Sequence, residues 1–257
     1  MDHTEMTLLE VKNLSKSFGG MLVIDDVSFC VPKGKICSVI GPNGAGKSTL
    51  FDIVAGVLSA DSGRVLFDGQ DLAGLRPDQR ARLGMARTFQ ELRLFNSLTA
   101  FENLAAGPLC ALDSGLAAIL LGLPAERQAR RQAHLVADEM LERLRLQDRR
   151  NLPVGLLSHG QKRLIEIGRA LALRPRILVL DEPTAGLNAE NKQLFIDTVL
   201  PSLRESVEAI VLIEHDMNVV MSVSDTVIVL ANGRKIAEGL PADVQTDPNV
   251  AREYLGA

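Results

Sequence analysis

Several residue types are scarce in this sequence. It has no tryptophan, one tyrosine and only three cysteines, Cys30, Cys37 and Cys110. The cysteines lack the spacing of metal ligands, and their odd number does not fit a disulfide framework, so we expect a reducing cytoplasm. The formal net charge of −4 argues against a nucleic-acid-binding surface, because phosphate backbones require a clustered basic face.

Long apolar segments are also missing. The opening stretch MDHTEMTLLEVK is charged and has no apolar centre, so it does not predict a signal peptide. The most lipid-like run, Gly115–Pro124, is far shorter than the ~20 residues that a helix needs to span a bilayer. We therefore expect no transmembrane segment, whereas a peripheral attachment to a membrane stays compatible with the sequence.

Short apolar runs, by contrast, recur along the chain. With 257 residues, of which 46% are apolar, the chain can bury a full core in one large α/β domain. The runs Ile177–Asp181, Ala209–Glu214 and Thr226–Leu230 are spaced like parallel strands that are joined by helices. Ile36–Ile40 and Arg64–Asp68 predict two more strands, and TLLEVKNL and VSFCV predict strands near the start.

The middle of the chain has a helical pattern. Between Leu92 and Leu157, Thr99-x-x-Glu102 is typical of a capping box, and Ala125–Arg150 predicts a charge-rich helix. The buried stripe expected on that helix consists of Leu135, Leu141, Leu144 and Leu146. This third of the sequence therefore predicts a helical insertion into the α/β core.

A glycine-rich loop follows the strand Ile36–Ile40. Its nine residues are Gly41, Pro42, Asn43, Gly44, Ala45, Gly46, Lys47, Ser48 and Thr49, and they fit G-x-x-x-x-G-K-[ST] between a strand and a helix predicted from Lys47 to about Val57. Backbone N–H groups of such a loop bind phosphate oxygens, Lys47 would reach the β and γ phosphates, and Ser48 would bind Mg²⁺. A glycine-rich turn without a ligand is disfavoured, because the pair Lys47-Ser48 has no packing role.

An acidic pair follows the strand at Ile177. Asp181 and Glu182 stand at its carboxyl end, which is where open α/β sheets bind their ligands. We expect Asp181 to hold Mg²⁺ and Glu182 to polarise the attacking water. A solvated turn is the alternative, and the phosphate-binding loop makes it the weaker one.

A polar turn begins the helical stretch LLSHGQKRLIEIGRAL. Ser158-x-x-Gln161 has the pattern of a capping box, and His159 and Gly160 lie inside it. The residues alone leave three interpretations open, namely a helix cap, a catalytic histidine, and half of a site completed elsewhere.

The ordered set of these motifs resembles the nucleotide-binding subunit of an ATP-binding cassette (ABC) transporter, nearly from end to end. The resemblance places Phe18 against adenine, Val23 in the nucleotide site, Gln90 beside Mg²⁺ and the attacking water, and His215 at the γ-phosphate. It also identifies the signature turn, Ser158 to Gln161, and a D-loop formed by Ala185, Gly186, Leu187 and Asn188. Taken singly, Phe18 is better explained as core, Gln90 as a surface amide and His215 as a structural strand-end residue.

The resemblance implies a fold and an assembly. The fold is α/β, a P-loop NTPase (RecA-like) core with a mainly parallel sheet, an antiparallel β subdomain and an inserted α-helical subdomain. Within a single domain of 1–257, residues 1–90 and 158–257 would form the core and residues 91–157 the helical subdomain. Two ATPase subunits, identical or related, would pair head to tail and enclose ATP and Mg²⁺, each signature turn acting on the partner's ATP.

Two departures from the common motifs point to one branch of this family. His159 replaces a frequent glycine and Asn188 replaces a frequent aspartate, as in the ATPases of branched-chain amino acid importers. That branch implies a peripheral subunit at the cytoplasmic face of the membrane, bound to a permease through a groove near Gln90 and residues 92–104, and served indirectly by a solute-binding protein.

The motifs are also compared with the patterns of three alternative functions. The same chemistry could serve another cargo, such as urea, short amides or an exported lipid. A soluble ABC ATPase acting on DNA or ribosomes would predict a coiled-coil insertion or basic patches, and a P-loop kinase would not explain LSHGQ.

Overall fold

The computed structural model describes residues 6–110 and 124–255, and the chain forms two compact units. The first unit consists of Met1–Arg87, Arg176–Pro183 and Val207–Ala257, and the second of Thr88–Pro175 and Thr184–Ser206. The second unit contains all of 91–157, together with the helix after the signature turn and residues 184–206. The subdomain limits proposed from the sequence stay a prediction.

The first unit contains two β-sheets. Its strands are β1 (Thr7–Phe18), β2 (Met21–Pro32), β3 (Ile36–Ile40), β4 (Ser62–Phe67), β5 (Gln70–Asp71), β6 (Met85–Arg87), β7 (Ile177–Asp181), β8 (Ala209–Ile213), β9 (Thr226–Ala231) and β10 (Arg234–Gly239). One sheet is antiparallel with the order β2-β1-β4-β5, and the other has the order β10-β9-β3-β8-β7-β6. In the second sheet every pairing is parallel except that of β10 with β9, so the predicted fold class is confirmed.

The central strands are buried on both faces. All five residues of β3, of β7 and of β8 are buried, which explains why these segments are mostly apolar and do not alternate. The exceptions are Ser38 in β3 and Asp181 at the end of β7. The strand predictions at Ile36–Ile40 and Ile177–Asp181 are confirmed to the residue. The strand predicted over Arg64–Asp68 runs from Ser62 to Phe67, because Asp68 adopts a φ of 48° in the turn with Gly69.

The helices of the first unit are short. They are α1 (Lys47–Val54), α2 (Pro77–Arg82), α8 (Met217–Val223), α9 (Pro241–Thr246) and α10 (Pro248–Leu255). The expected extension of α1 to Val57 is wrong, since Gly56 takes a φ of 80° and the N–H of Val57 turns back to the carbonyl of Asp52 at 2.8 Å.

Helices form the regular structure described in the second unit. They are α3 (Ala100–Cys110), α4 (Pro124–Arg143), α5 (His159–Leu171), α6 (Ala189–Leu194) and α7 (Leu200–Arg204), with a π-helical turn at Phe195–Val199 and 3₁₀ turns at Gln147–Arg149 and Val154–Leu156. The helix predicted over Ala125–Arg150 ends at Arg143, where Arg145 with a φ of 55° turns the chain. Leu141, Leu144 and Leu146 are buried as expected, but Leu135 is 64% exposed and was wrongly assigned to the stripe.

The apolar run Gly115–Pro124 lies outside the described residues, apart from Pro124. Among the helices within 6–110 and 124–255, none combines the length and the hydropathy required to cross a bilayer.

Candidate functional site

Three adjacent parallel strands of the first unit end at the same edge of the sheet. β3 pairs with β8, and β8 pairs with β7, all in parallel. The phosphate-binding loop follows β3, Asp181 ends β7 and is followed by Glu182, and His215 lies two residues beyond β8. The strand order thus brings together groups that are far apart in the sequence.

The loop between β3 and α1 is shaped by its glycines. Gly44 and Gly46 have φ values of 82° and 97°, in the left-handed region that glycine adopts without strain. A side-chain carbon at Gly41 would lie 2.2 Å from the carbonyl oxygen of Leu230, so the backbone there approaches β9 too closely for any other residue. A side-chain carbon at Gly46 would lie 2.8 Å from the carbonyl oxygen of Val23. Val23 is therefore a direct neighbour of the loop, and its place in the nucleotide site stays a prediction.

Lys47 is the first residue of α1 and folds back over the loop. Its Nζ donates to the carbonyl oxygens of Gly41, at 2.6 Å, and Pro42, at 3.0 Å. Burial lowers the pKa of Lys47, and the negative charges of Glu182 and Asp181 oppose that effect. The amino group is consequently held as a partly buried donor above the glycine-rich loop, within the electrostatic influence of two carboxylates.

Glu182 and His215 lie next to each other. Nδ1 of His215 is 3.6 Å from Oε1 of Glu182, and the histidine is 58% exposed. Glu182 has a φ of 47°, which is rare for a residue with a long side chain, and its N–H donates to the carbonyl oxygen of Ile213 at 2.9 Å. Backbone strain of this kind is typical of functional sites, where the surrounding structure imposes it.

Sequence reasoning missed Arg87, which joins three elements beneath this edge. Its Nη1 lies 2.6 Å from Oδ1 of Asp52 on α1, and its Nη2 lies 2.9 Å from Oδ2 of Asp181 on β7. The pair with Asp181 is nearly buried, with side chains 10% and 7% exposed. The only signal in the sequence was a cation two residues before a phenylalanine in MARTF, which does not identify an acidic partner.

Phe18 ends β1 and is 46% exposed, so the interpretation as core is wrong. Nζ of Lys16 lies 5.4 Å from the centre of the Phe18 ring, and Asp61 fixes that lysine with a 2.7 Å bond. Asp61 also accepts from the backbone N–H of Ser17 at 2.7 Å. One face of the Phe18 ring is thus near a cation. The exposed part of the ring is accessible to a flat ligand.

The signature turn caps α5 in the second unit. Ser158 is the N-cap: its Oγ accepts from the N–H of Gln161 at 3.3 Å, and the Gln161 side chain accepts from the N–H of Ser158 at 3.0 Å. The predicted capping box is confirmed. Ser158 and His159 are exposed, so the free end of α5 presents backbone N–H groups to solvent.

The signature turn packs on the D-loop of the same unit. A side-chain carbon at Gly186 would lie 3.1 Å from the His159 ring, and one at Gly160 would lie 3.2 Å from Leu187. Asn188 caps α6, because its Oδ1 accepts from the N–H of Asn191 at 2.9 Å. The residue that replaces the common aspartate therefore performs a neutral capping role here.

Gln90 is exposed, and the backbone at this point is bonded to α5. Arg163 donates to the carbonyl oxygens of Phe89 and Gln90, a contact that no motif predicts. Within the described part of the chain there is no cluster of three or more His, Cys, Asp or Glu side chains with metal-site geometry, so Glu214, His215 and Asp216 do not form one.

Comparison with known proteins gives a consistent result. A family model described as ABC transporter matches residues 24–185, more than half of the chain. The high-affinity branched-chain amino acid transport ATP-binding protein BraF of Pseudomonas aeruginosa is 39% identical over 249 residues, which cover 97% of this chain and 98% of that protein. LivG of Escherichia coli, which has the same descriptive name, is 41% identical over 251 residues, with 97% and 98% coverage.

Solved structures are similar over the same length. A nucleotide-free ATP-binding cassette from an ABC transporter has a TM-score of 0.84 and 33% identity, covering 98% of this chain and 100% of that one. A dimeric ATP-binding cassette in a post-hydrolysis state, bound to ADP and Pi, has a TM-score of 0.75 and 25% identity, with 91% and 99% coverage.

Proposed function

Because this chain belongs to the ABC transporter family, we propose that it is the ATP-hydrolysing subunit of an importer for branched-chain amino acids. The observation that carries the proposal is the arrangement at one sheet edge of the phosphate-binding loop, Asp181, Glu182 and His215. The chain is an ATPase that binds nucleotide, as members of this family are.

ATP binds along the loop between β3 and α1. N–H groups from Gly41 to Thr49 and the Lys47 ammonium bind the phosphates, and the α1 N-terminus contributes its partial positive charge. Phe18 stacks on the adenine, and Val23 lies beside it. This assignment is supported by the exposed Phe18 ring and by the contact of Val23 with the glycine-rich loop.

Magnesium fits the oxygen donors that these elements offer. Ser48 in the first turn of α1 and Asp181 at the end of β7 belong to the same unit. The resemblance to the family would add the side-chain amide oxygen of Gln90, a residue of the second unit. Hydroxyl, carboxylate and amide oxygens are ligands that Mg²⁺ accepts. The ion would neutralise charge on the β and γ phosphates.

Glu182 and His215 act on the γ-phosphate. Glu182 accepts a hydrogen bond from the attacking water, whose oxygen bonds to phosphorus as the bond to the β–γ bridging oxygen breaks. Nδ1 of His215 lies 3.6 Å from Oε1 of that carboxylate, which supports a role for the histidine in orienting Glu182. Its ring would also donate to a γ-phosphate oxygen, as the resemblance implies. Lys47 and Gln90 complete the catalytic set.

A second ATPase subunit completes each site. The turn from Ser158 to Gln161 would bind the γ-phosphate held by the partner, and the D-loop from Ala185 to Asn188 would lie at the subunit interface. The exposed, dipole-bearing start of α5 supports this role, since it offers N–H donors to an anion. The similarity to a dimeric cassette bound to ADP and Pi supports the pairing.

The permease would dock on the second unit beside Gln90. Phe95 is 53% exposed and Leu98 is 36% exposed, so apolar side chains are available on this surface. The chain would then lie at the cytoplasmic face of the membrane as a peripheral subunit, and a solute-binding protein would deliver cargo to the permease. The names and the full-length similarity of BraF and LivG favour branched-chain amino acids over urea, short amides or an exported lipid.

Purification from membranes in detergent tests the assembly and the cargo. We expect integral-membrane permease subunits to co-purify with the ATPase, and vesicles that contain the complex to take up labelled leucine but not urea when ATP is supplied. Uptake of urea alone would reassign the cargo within the family, whereas the absence of any membrane partner would contradict the transport function.

A further inference from the structure

Arg163 is a buried charge in the second turn of α5. Its side chain is 2% exposed, and that of Glu166, one turn further along, is 3% exposed. Nη1 of Arg163 lies 2.8 Å from Oε2 of Glu166. Buried charges of this kind are retained only when hydrogen bonds compensate their loss of hydration.

The guanidinium makes more contacts than that ion pair requires. Nη1 also donates to the carbonyl oxygen of Phe89 at 2.7 Å, and Nη2 donates to the carbonyl oxygen of Gln90 at 3.0 Å. Oε1 of Glu166 in turn accepts from the N–H of Arg93 at 3.3 Å. The backbone on both sides of Gln90 is thus bonded to one charged pair on α5, and these residues all belong to the second unit.

The geometry depends on arginine. Its planar fork directs Nη1 and Nη2 to two successive carbonyl oxygens, whereas a lysine ammonium is a single point on a flexible stem. A helix surface that only needed packing would present apolar side chains at this position, without the cost of desolvating a cation. The contacts that require an arginine at position 163 are therefore those to the carbonyl oxygens of Phe89 and Gln90.

We propose that Arg163 is a positioning residue for ATP hydrolysis, which fixes the backbone of Gln90 to the helix that the signature turn begins. Ser158 caps that helix, and Arg163 is five positions further along it. The Gln90 backbone is therefore tied to the same helix as the signature turn. This inference rests on the roles proposed above for Gln90 and Ser158.

The conservative variant Arg163→Lys tests the proposal, with Arg169→Lys as the matched control. Arg169 lies on the same helix and donates to the carbonyl oxygen of Arg93, so the control alters the same type of contact three residues beyond Gln90. Glu166→Gln is the second variant; it keeps Arg163 and removes the carboxylate charge. Thermal unfolding first establishes that each variant is folded.

Two measurements separate positioning from general stabilisation. In Arg163→Lys we expect the Mg²⁺ concentration for half-maximal ATPase activity to rise by about tenfold, as for partners that orient metal ligands. Amide hydrogen exchange of residues 88–93 should accelerate in the absence of nucleotide and metal. Binding of a fluorescent ATP analogue in EDTA should be unchanged, because the phosphate-binding loop belongs to the other unit.

The outcomes distinguish this proposal from the general function. Wild-type exchange and Mg²⁺ dependence in Arg163→Lys would overturn it, as would equal effects in Arg169→Lys. Glu166→Gln should change the Mg²⁺ dependence and the amide exchange in the same direction as Arg163→Lys. Wild-type values of both quantities in Glu166→Gln would also contradict the proposal. If Glu182→Gln still hydrolysed ATP, the assignment of the water-polarising group would fail, while the exchange data would still decide the role of Arg163.

Discussion

In the signature turn, the side chain of His159 contacts the D-loop. The imidazole of His159 lies against Gly186, whose φ of 71° already requires glycine. The histidine thus stabilises the packing of the signature turn on the D-loop within one subunit. Its contact with Gly186, within the described part of the chain, is a packing contact.

Substitutions in the signature turn should separate packing from phosphate binding. We expect His159→Gly to keep most ATPase activity, because Ser158 and the backbone donors at the start of α5 remain. Gly160→Asp should abolish activity, because it adds bulk within 3.2 Å of Leu187 and a negative charge beside the γ-phosphate. Steady-state phosphate release measures both, and equal damage from the two changes would assign a catalytic role to His159.

A cluster of four charges on the first unit should make stability depend on pH. Hydrogen bonds from Arg176 and then Lys33 hold the pKa of the Asp68 carboxyl below its usual value, and Arg176 does the same for Glu208. A carboxyl with a lowered pKa in the folded state stabilises the protein above its unfolded pKa of about 3.9, and this contribution is lost as pH falls through the folded value.

The variant Asp68→Asn should therefore unfold at a lower urea concentration than the wild type at pH 7. The difference should shrink as the pH falls below about 4, where the unfolded carboxyl becomes neutral, and should vanish once the pH is below the lower pKa of the folded state. Urea midpoints measured at pH 7 and below about pH 4 test the effect. Glu142→Gln, at an exposed position of α4, is the control. A constant difference at every pH would show that charge is not the cause.

At the scale of the elements, helix α3 depends on its first residues. The N–H of Glu102 donates to Oγ1 of Thr99 at 3.1 Å, and Oε2 of Glu102 accepts from the N–H of Thr99 at 2.8 Å, as the predicted capping box requires. Thr99→Ala removes the hydroxyl acceptor and should lower the free energy of unfolding by about 1 kcal/mol. Thr99→Ser should retain most of it, and chemical denaturation of both variants measures the difference.

Elements that carry strong local signals could be predicted from the sequence. The strands β3 and β7 are mostly apolar runs that stop at a glycine and an acidic pair, so both their type and their limits were predictable. The short strands β6 and β10 were not predicted, because Met85–Arg87 and Arg234–Gly239 have little apolar pattern and owe their pairing to β7 and β9.

The site was predictable only where a residue belongs to a motif. Lys47, Asp181 and the signature turn were assigned from local sequence, whereas Arg87 and Arg163 were missed. Both arginines act through partners on other elements, and a single cation in a sequence does not reveal a partner 94 positions away, as Asp181 is from Arg87. Long-range ion pairs are set by the tertiary fold and are not encoded in any local window.

At the scale of the whole molecule, we expect the association state of the subunit to depend on whether ATP or ADP is bound. Replacing Glu182 by Gln removes the carboxylate that polarises water but keeps the phosphate-binding loop, so this variant should bind ATP, lose turnover and accumulate as a dimer. Sedimentation velocity with ATP and Mg²⁺, compared with ADP, measures the association. Adding Gly160→Asp should return the protein to monomers. Unchanged hydrolysis in Glu182→Gln would contradict the assignment.

The position of β3 in its sheet has a consequence for protein synthesis. β3 pairs with β8 through Ile36 and Ile210 and with β9 through Cys37 and Thr226, so both of its neighbours leave the ribosome long after it does. A nascent or prematurely terminated chain that ends before Ile210 carries the glycine-rich loop on a strand without its sheet partners. We therefore expect the glycine-rich loop to reach its final shape, and with it the capacity to bind nucleotide, only after β8 and β9 have been synthesised.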